Sequence, residues 1–248
     1  MLKRNLVSGV AGLFLPADCL LCKKPLEPLN RSFICFRCWQ NIEWLPALCC
    51  ARCRKPLFFT PGKNFTSPQV CPACRINPPH FQRLFSSTIY RGVMAEAIKL
   101  FKYTGKRGIM RGFIYVVKTC IEHFNLSFLG LEAIVPVPLH PRKQRERGYN
   151  QAEDIARMVG RYLNLPVWNS YLVRVRYTKP QTSLSKNERR ENMKGAFSVP
   201  KRARNWAKGS KILLVDDVYT TGFTLNEASK EIKRYGAEVF SFTLARSP

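Results

Sequence analysis

The sequence predicts an α/β protein, with a parallel sheet flanked by helices and a small cysteine-rich domain in front of it. After residue 80, short apolar runs alternate with helical repeats of apolar residues, which is typical of a parallel sheet covered on both faces. Before residue 80, nine of the ten cysteines lie in a proline-rich stretch with little periodic apolar sequence. We therefore predict two domains, residues 1–80 and residues 81–248.

The composition limits the classes of protein to which the chain can belong. Of its 248 residues, 46% are hydrophobic, which is enough to build a core and excludes wholesale disorder. No stretch of about 18 apolar residues occurs, so no membrane span is predicted. The formal net charge of +25 is larger than solubility requires and favours a polyanionic partner.

The first 16 residues predict a short amphipathic helix that docks on the protein. Lys3 and Arg4 precede an apolar run that serine and glycine interrupt, which matches a cleavable signal poorly. The residues before Cys19 faintly resemble a lipoprotein cleavage site, but the adjacent Asp18 argues against that interpretation. We expect a cytoplasmic protein. Apolar residues at helical spacing support the helix: Leu2, Leu6, Val10 and Leu13.

Eight cysteines form four Cys-x-x-Cys pairs. Two sulfurs three positions apart on a tight turn can reach one tetrahedral ion, so each two successive pairs predict one zinc site. The pairs are separated by 12 residues in the first set and by 17 in the second, close to zinc-ribbon spacing. The first predicted site comprises Cys19, Cys22, Cys35 and Cys38, and the second comprises Cys50, Cys53, Cys71 and Cys74.

Two alternatives to this metal assignment stay open at this stage. An even number of cysteines also suits a secreted disulfide framework, although no signal peptide supports one. Cys49 adjoins Cys50 and could replace it as a ligand. Cys120 lies inside an apolar helical pattern and is interpreted as a small buried hydrophobe.

The elements of the second domain begin with a strand over residues 81–90. Apolar stripes then predict one helix from Val93 to Phe101 and another from Phe113 to Phe124. Residues 133–138 form a short buried strand that proline ends, and a loop over residues 139–149 is predicted to follow it.

The remaining elements complete the alternation of helices and strands. Residues 150–163 are helical, and residues 172–175 form a strand that leads into a basic stretch. The clearest strand comes next, residues 211–215, followed by a turn and a helix over 224–235. Residues 239–244 close the chain as a last strand.

The most informative motif follows the apolar run 212–215. Asp216 and Asp217 come directly after it, at the predicted carboxyl end of a strand, which is where open α/β sheets bind ligands. The next residues are predicted to form a turn followed by a helix. Backbone N–H groups and hydroxyls of such a turn can donate hydrogen bonds to an anion, and its glycine permits a close approach. A phosphate on the turn with carboxylates beside it fits a sugar phosphate. The phosphate-binding candidates are Thr220, Thr221, Gly222 and Thr224.

This arrangement resembles the PRPP-binding loop of type I phosphoribosyltransferases, and the chain as a whole resembles the ComF family of competence-associated phosphoribosyltransferase-like proteins. The resemblance covers nearly all of residues 10–245. One departure from the wider phosphoribosyltransferase pattern is Phe223, where many members carry a small residue. Beside the cysteine pairs, the segments that carry the resemblance are 101–105, 135–138, 147–151, 178–185, 192–197 and 216–222.

The resemblance implies a type I phosphoribosyltransferase-like sheet and a PRPP site. Asp216 and Asp217 would hold the ribose and assist a Mg²⁺ ion that PRPP brings. Arg142 and Arg147 lie where the family holds pyrophosphate, and residues 178–197 correspond to a flap that closes over the site. A basic loop that touches no substrate is the alternative for that segment.

Several functions remain open at this stage. The ComF resemblance implies a role in DNA uptake and natural transformation, with single-stranded DNA, PRPP and competence or recombination proteins as partners. The alternative is an active Mg²⁺-dependent phosphoribosyltransferase whose acceptor the sequence does not reveal. The zinc module as a protein-docking platform is a third hypothesis.

A basic segment over residues 172–208 supports the nucleic-acid hypothesis. It carries eleven cationic side chains against two glutamates, a net +9. Trp206 lies among its last cations, so a base could stack on the indole while the cations bind phosphates. A solvated basic loop is the alternative. The cations farthest in sequence from the pocket motifs are Lys201, Arg202, Arg204 and Lys208.

Overall fold

The computed structural model describes residues 18–26, 32–57, 68–177, 188, 191 and 193–248. Within them the α-helices are α1 (Phe36–Gln40), α2 (Pro72–Ile76), α3 (Gly92–Tyr103), α4 (Met110–His123), α5 (Pro141–Arg147), α6 (Gln151–Leu163), α7 (Arg204–Ala207) and α8 (Phe223–Lys233). The strands are β1 (Leu84–Phe85), β2 (Thr88–Ile89), β3 (Ala133–Pro136), β4 (Val173–Arg174), β5 (Phe197–Ser198), β6 (Lys211–Tyr219) and β7 (Glu238–Arg246). Short 3₁₀ turns cover Arg107–Ile109, Leu126–Phe128 and Lys201–Ala203. The predicted N-terminal helix falls outside the described residues.

The central sheet is parallel and has the order β1-β7-β6-β3, with β2 also paired to β7. Alternate side chains of β6 enter two different apolar clusters: Leu213 and Val215 enter one, Ile212 and Leu214 the other. Helices α3, α4 and α6 cover the first face, and α7 and α8 cover the second. The predicted α/β sheet with helices on both faces is confirmed.

Three of the predicted elements need correction. Residues 81–90 form two short strands rather than one, because the carbonyls of Ser86 and Ser87 accept hydrogen bonds from the cysteine-rich segment instead of from the sheet. The predicted loop 139–149 contains α5. The side chain of His140 accepts a hydrogen bond from the backbone N–H of Arg142, at 3.3 Å, and so caps that helix.

The third correction concerns the strand that precedes the acidic pair. β6 continues to Tyr219, so Asp216 and Asp217 lie within it rather than beyond its end. The reason is that β7 pairs with β6 as far as Tyr219, whereas β3 pairs with it only as far as Val215. The two carboxylates therefore lie on the part of β6 that still pairs with β7 but no longer pairs with β3.

The cysteine-rich segment joins both faces of the sheet. The indole of Trp39 packs edge-on against Phe113 of α4, with ring centroids 5.7 Å apart. It lies so close to Gly112 that a Cβ there would collide with the indole. A backbone hydrogen bond also joins the cysteine-rich segment to β2, because the Ile89 N–H donates to Glu43 O at 2.8 Å.

No helix among the described residues has both the length and the apolar character needed to cross a membrane.

Candidate ligand-binding site and metal centres

A cavity of about 210 Å³ opens at the carboxyl edge of the sheet. Asp216 and Asp217 line it, together with the backbone that follows β3. The last backbone hydrogen bond between that segment and β6 runs from Val137 N–H to Val215 O, at 2.8 Å. Because β3 ends there, it leaves the next two residues of β6 open to the cavity.

The turn after β6 borders the same cavity. Thr220 and Thr224 line it, as the sequence predicts, whereas Thr221 and Gly222 lie behind the lining. Gly222 has φ +79° and precedes the first turn of α8, so the helix N-terminus adds its positive end to the turn. The Thr221 hydroxyl is buried and has no hydrogen-bond partner among the described atoms.

The two carboxylates have different environments. Asp217 is buried and forms an ion pair with Lys102, with 2.9 Å between Oδ2 and Nζ. Asp216 is half-buried, and its Oδ1 accepts a hydrogen bond from the Asp217 N–H at 2.8 Å. Burial and the neighbouring charge of Asp217 raise the pKa of Asp216 to about 7. The pair therefore combines a carboxylate held in an ion pair with one that titrates near neutral pH.

Lys102 is the residue that the sequence reasoning missed. It lies near the end of α3 and lines the cavity. Burial alone would lower the pKa of its amine, but the charges of Asp217 and Asp216 outweigh burial and raise that pKa. Residues 101–105 pointed to this helix end through the family resemblance, yet the spacing does not show that a side chain there reaches β6.

Cations crowd the other wall of the cavity. Arg147 lines it, as predicted, and Lys143 and Arg174 line it as well. Because these three cations line one cavity, burial and the neighbouring charges of Arg174 and Arg147 lower the pKa of Lys143. This wall suits a ligand with several negative charges.

Arg142 is not part of this wall. Its Nε pairs with Glu146 at 3.2 Å, and its guanidinium lies over the ring of Tyr177, 5.2 Å from the centroid. The assignment of Arg142 to pyrophosphate binding therefore stays a prediction, while Lys143 and Arg174 line the cavity.

Most of the segment predicted as a flap, residues 178–197, lies outside the described residues. Its end is described: Ala196 and Phe197 are buried, and β5 pairs antiparallel with β4. This pairing connects the segment to Arg174 in the cavity wall.

Phe223, the departure from the wider pattern, packs against the apolar cluster on the second face of the sheet. It is not among the residues that line the cavity.

The cysteines form the two predicted quartets, each with its four sulfurs within 4.8 Å of one another. Individual pairs are Cys19 to Cys38 at 3.8 Å, Cys22 to Cys35 at 3.7 Å and Cys53 to Cys71 at 3.7 Å. A tetrahedron with Zn–S bonds of about 2.3 Å has S···S edges of about 3.8 Å, so the sulfurs fit a zinc ion without rearrangement.

The local backbone also favours thiolates. The N–H of Cys35 points to the Cys19 sulfur, and the N–H of Cys71 to the Cys50 sulfur, both at 3.3 Å. Burial raises the pKa of Cys19, but hydrogen bonds from the N–H groups of Cys22 and Cys35 lower it to about 6. Metal ligation requires the thiolate, which these N–H groups favour at Cys19 and Cys50, whereas burial and the neighbouring cysteines raise the pKa of Cys38 and of Cys74.

The geometry favours the metal assignment over both alternatives. All ten cysteines are free in this structure, and the S···S separations of 3.7 and 3.8 Å exceed the S–S bond of about 2.0 Å. Cys49 lies outside the quartets, and its thiol donates to Pro46 O at 3.1 Å. Cys120 is fully buried in the apolar cluster on the first face, as predicted.

We expect two zinc ions per chain in the purified protein. The quartets match tetrahedral sulfur coordination, and each ties together loops that bury little apolar surface of their own. Metal analysis by mass spectrometry checks this number. Replacing Cys49 with Ser, the matched control, leaves it at two. One ion per chain would contradict the assignment of one quartet, and none would contradict both.

Comparison with known proteins adds to this geometry. A family model described as phosphoribosyl transferase domain matches residues 147–248. Competence protein F of Haemophilus influenzae is 31% identical over 224 residues, 89% of this chain and 92% of that protein. DNA utilization protein YhgH of Escherichia coli K12 is 31% identical over 229 residues, with coverages of 91% and 94%. Competence protein ComFC of Bacillus subtilis is 28% identical over 227 residues, with coverages of 86% and 84%.

Proposed function

Because this chain belongs to the ComF family, we propose that it is a PRPP-binding protein that supports DNA uptake and natural transformation, and that it binds single-stranded DNA. The observation that carries the PRPP assignment is the cavity at the end of β6, where Asp216 and Asp217 adjoin the phosphate-binding turn. Its relatives named for competence and for DNA utilization support the role in DNA uptake.

PRPP fits the cavity group by group. The 5′-phosphate is bound by the turn, where the Thr220 and Thr224 hydroxyls line the cavity and the N-terminus of α8 adds its positive end. The ribose hydroxyls donate to Asp216 and Asp217. The pyrophosphate lies against the cationic wall that includes Arg174. Asp216 and Asp217 would help to hold a Mg²⁺ ion that PRPP brings, which would neutralise part of the pyrophosphate charge.

Phosphoribosyl transfer from PRPP is the second candidate function. The acidic pair favours it, because carboxylates beside a ribose stabilise the positive charge that develops on the sugar as pyrophosphate leaves. The ion pair with Lys102 holds the Asp217 carboxylate in place at the cavity wall. The acceptor is an unidentified nucleobase or related molecule.

A binding titration followed by a turnover assay tests both functions. We expect calorimetry to detect PRPP binding in the presence of Mg²⁺. Incubation with a panel of nucleobases then measures released pyrophosphate. Binding without release supports a binding role, release that depends on one base supports the enzyme, and absence of PRPP binding would overturn both.

The DNA-binding surface is proposed on α7 and the 3₁₀ turn before it. Lys201, Arg202 and Lys208 are exposed there, and Trp206 is 57% exposed. Trp206 lies against Trp168, with ring centroids 5.6 Å apart, so packing against Trp168 holds the exposed indole in place. A supported aromatic ring between cations suits an unpaired base and its phosphates.

Arg204 does not belong to this surface. Its guanidinium lies over the ring of Tyr235, 5.1 Å from the centroid, and its Nε donates to Val199 O at 3.4 Å. It therefore contributes to packing, and a test of DNA binding leaves it in place.

Replacing Lys201, Arg202 and Lys208 with Ala should weaken single-stranded DNA binding and leave PRPP affinity unchanged. Each lost phosphate contact reduces the log–log salt slope by about 0.7, so the slope falls by about 2. Fluorescence anisotropy at several salt concentrations measures it. The matched control replaces three exposed cations of α3 and α4, on the other face of the sheet: Lys99, Arg111 and Lys118.

Equal salt slopes for the two triple variants would contradict this placement of the DNA surface. A separate Trp206→Ala variant should weaken binding by about 1–3 kcal/mol, the usual contribution of one stacked base.

A further inference from the structure

Tyr219 lies directly beneath the phosphate-binding turn. It is the last residue of β6 and is 9% exposed. A Cβ added to Gly222 would collide with the Tyr219 hydroxyl and ring, so ring and turn are in van der Waals contact. Any movement of this ring therefore changes the conformation that the turn can adopt.

The same side chain is joined to the second cysteine quartet. The Arg246 guanidinium lies over the Tyr219 ring, 5.7 Å from its centroid, and the Arg246 Nε donates to Cys53 O at 2.9 Å. Cys53 belongs to this quartet, so the Arg246 side chain links the quartet to the Tyr219 ring.

Packing completes the connection. Phe81 contacts Tyr219 edge-on, with ring centroids 6.2 Å apart. The apolar cluster that contains Tyr219 and Leu225 of α8 also contains all four cysteines of the second quartet. A continuous set of contacts thus extends from this quartet to the helix that follows the turn.

The first quartet has different neighbours. Cys19 belongs to the apolar cluster on the opposite face of the sheet, together with Trp39 and Phe113. The two cysteine sites are therefore not equivalent with respect to the turn.

We propose that a metal ion on the second quartet positions the phosphate-binding turn through Tyr219, so that PRPP affinity is coupled to metal occupancy of this quartet more than of the first. The proposal rests on the proposed function, since it takes the turn as the site of the PRPP 5′-phosphate. Tyr219 is a positioning residue here.

The physical reason is the way in which the quartet holds its loops. Residues 50–53 form a turn and residues 71–74 begin α2, and a tetrahedral ion fixes these two segments relative to each other. When the ion is absent, the Cys53 carbonyl no longer fixes Arg246, and the Tyr219 ring gains freedom. The turn then has to be ordered when the phosphate binds, which weakens binding. Coupling between two sites typically changes affinity by about 5- to 150-fold.

The first experiment compares Cys74→Ser with Cys38→Ser in the full chain, each expected to lose one zinc ion. We expect PRPP affinity to fall at least about tenfold further in Cys74→Ser than in Cys38→Ser. Amide hydrogen exchange of residues 218–223, measured without PRPP, should be faster in Cys74→Ser alone. Equal effects of the two variants on affinity and on exchange would overturn the proposal.

The second experiment keeps both metal sites intact and so does not depend on the folding of a cysteine variant. Tyr219→Leu should retain two zinc ions and lose PRPP affinity about tenfold, whereas Tyr219→Phe, which keeps the ring, should retain most of it. Tyr171→Leu is the matched control, because Tyr171 is also buried in the same cluster but packs against Trp168, with ring centroids 5.4 Å apart, whereas the atoms nearest to Gly222 are those of Tyr219. Wild-type affinity in Tyr219→Leu would overturn the proposal.

The outcomes separate this proposal from the function on which it rests. Failure of the wild-type protein to bind PRPP would overturn the proposed function. PRPP binding that is insensitive to Tyr219 and to the second quartet would leave that function standing and overturn the coupling alone.

Discussion

Replacing both Asp216 and Asp217 with Asn should abolish detectable PRPP binding. The double variant loses two charge-assisted hydrogen bonds to the ribose, each worth roughly 1.5–3 kcal/mol, so affinity falls at least about 100-fold. Both side chains line the cavity rather than an apolar core, which is why we expect the fold and the zinc content to persist. Calorimetry with PRPP and Mg²⁺, together with circular dichroism and metal analysis, measures the three quantities.

The control for the removed charge is Glu238→Gln. Glu238 is the first residue of β7, at the opposite edge of the sheet, so its replacement removes a negative charge without reaching the cavity. Asp217→Asn alone leaves the Lys102 amine without its carboxylate, and adding Lys102→Met restores the balance of charge. PRPP affinity within a few-fold of wild type in the double Asn variant would refute the assignment.

The pH dependence of the wild-type protein offers a second readout of the same assignment. Asp216 has its pKa raised to about 7, so its ionised fraction increases between about pH 6 and 8, and PRPP affinity should increase with it. The free energy of unfolding should change in the opposite direction. The folded chain retains on Asp216 a proton that the unfolded chain releases near pH 3.8, so stability falls as the pH rises from about 3.8 to about 7. Both dependences should weaken in Asp216→Asn.

Gly222→Ala should lower PRPP affinity at least about tenfold and also destabilise the protein. Its φ of +79° costs a residue with a Cβ about 1–2 kcal/mol, and that Cβ would also collide with Tyr219. The turn must shift to relieve the collision, which moves its N–H groups away from the phosphate position. PRPP titration measures the first effect, and urea unfolding measures the second.

A second glycine separates the cost of the positive φ from the effect of the collision with Tyr219. Gly209 has φ +77°, and a Cβ there would meet nothing within 4 Å. Gly209→Ala should therefore show the conformational cost in urea unfolding and keep wild-type PRPP affinity. If the two alanine variants bind PRPP equally well, the turn at Gly222 is not the phosphate site.

The sequence predicted the parts of the fold that depend on local pattern. The apolar run before Asp216 specified a buried strand, and the Cys-x-x-Cys pairs specified both quartets. The prediction from sequence failed where contacts between residues far apart in the chain determine the secondary structure. Ser86 interrupts the first strand because the Arg54 Nε donates to its carbonyl at 3.3 Å, and no local signal indicates that contact.

The candidate site shows the same division. Residues consecutive in the chain, from Asp216 to Thr224, were identified because one motif contains them. Lys102 and Arg174 reach the cavity from α3 and β4, which the sequence places far apart. Arg142 was grouped with Arg147 because both follow one strand, but α5 directs their side chains to different neighbours.

The contact between Trp39 and Gly112 affects how cooperatively the chain unfolds. The indole fills a place on α4 that a side chain of that helix would otherwise occupy, and residues 43 and 89 share a backbone hydrogen bond. A fragment starting at residue 81 would expose Phe113 to water and leave the edge of the sheet open. The metal-binding loops and the sheet thus form one cooperative unit, in which the free energy of metal binding also stabilises strands that contact no metal.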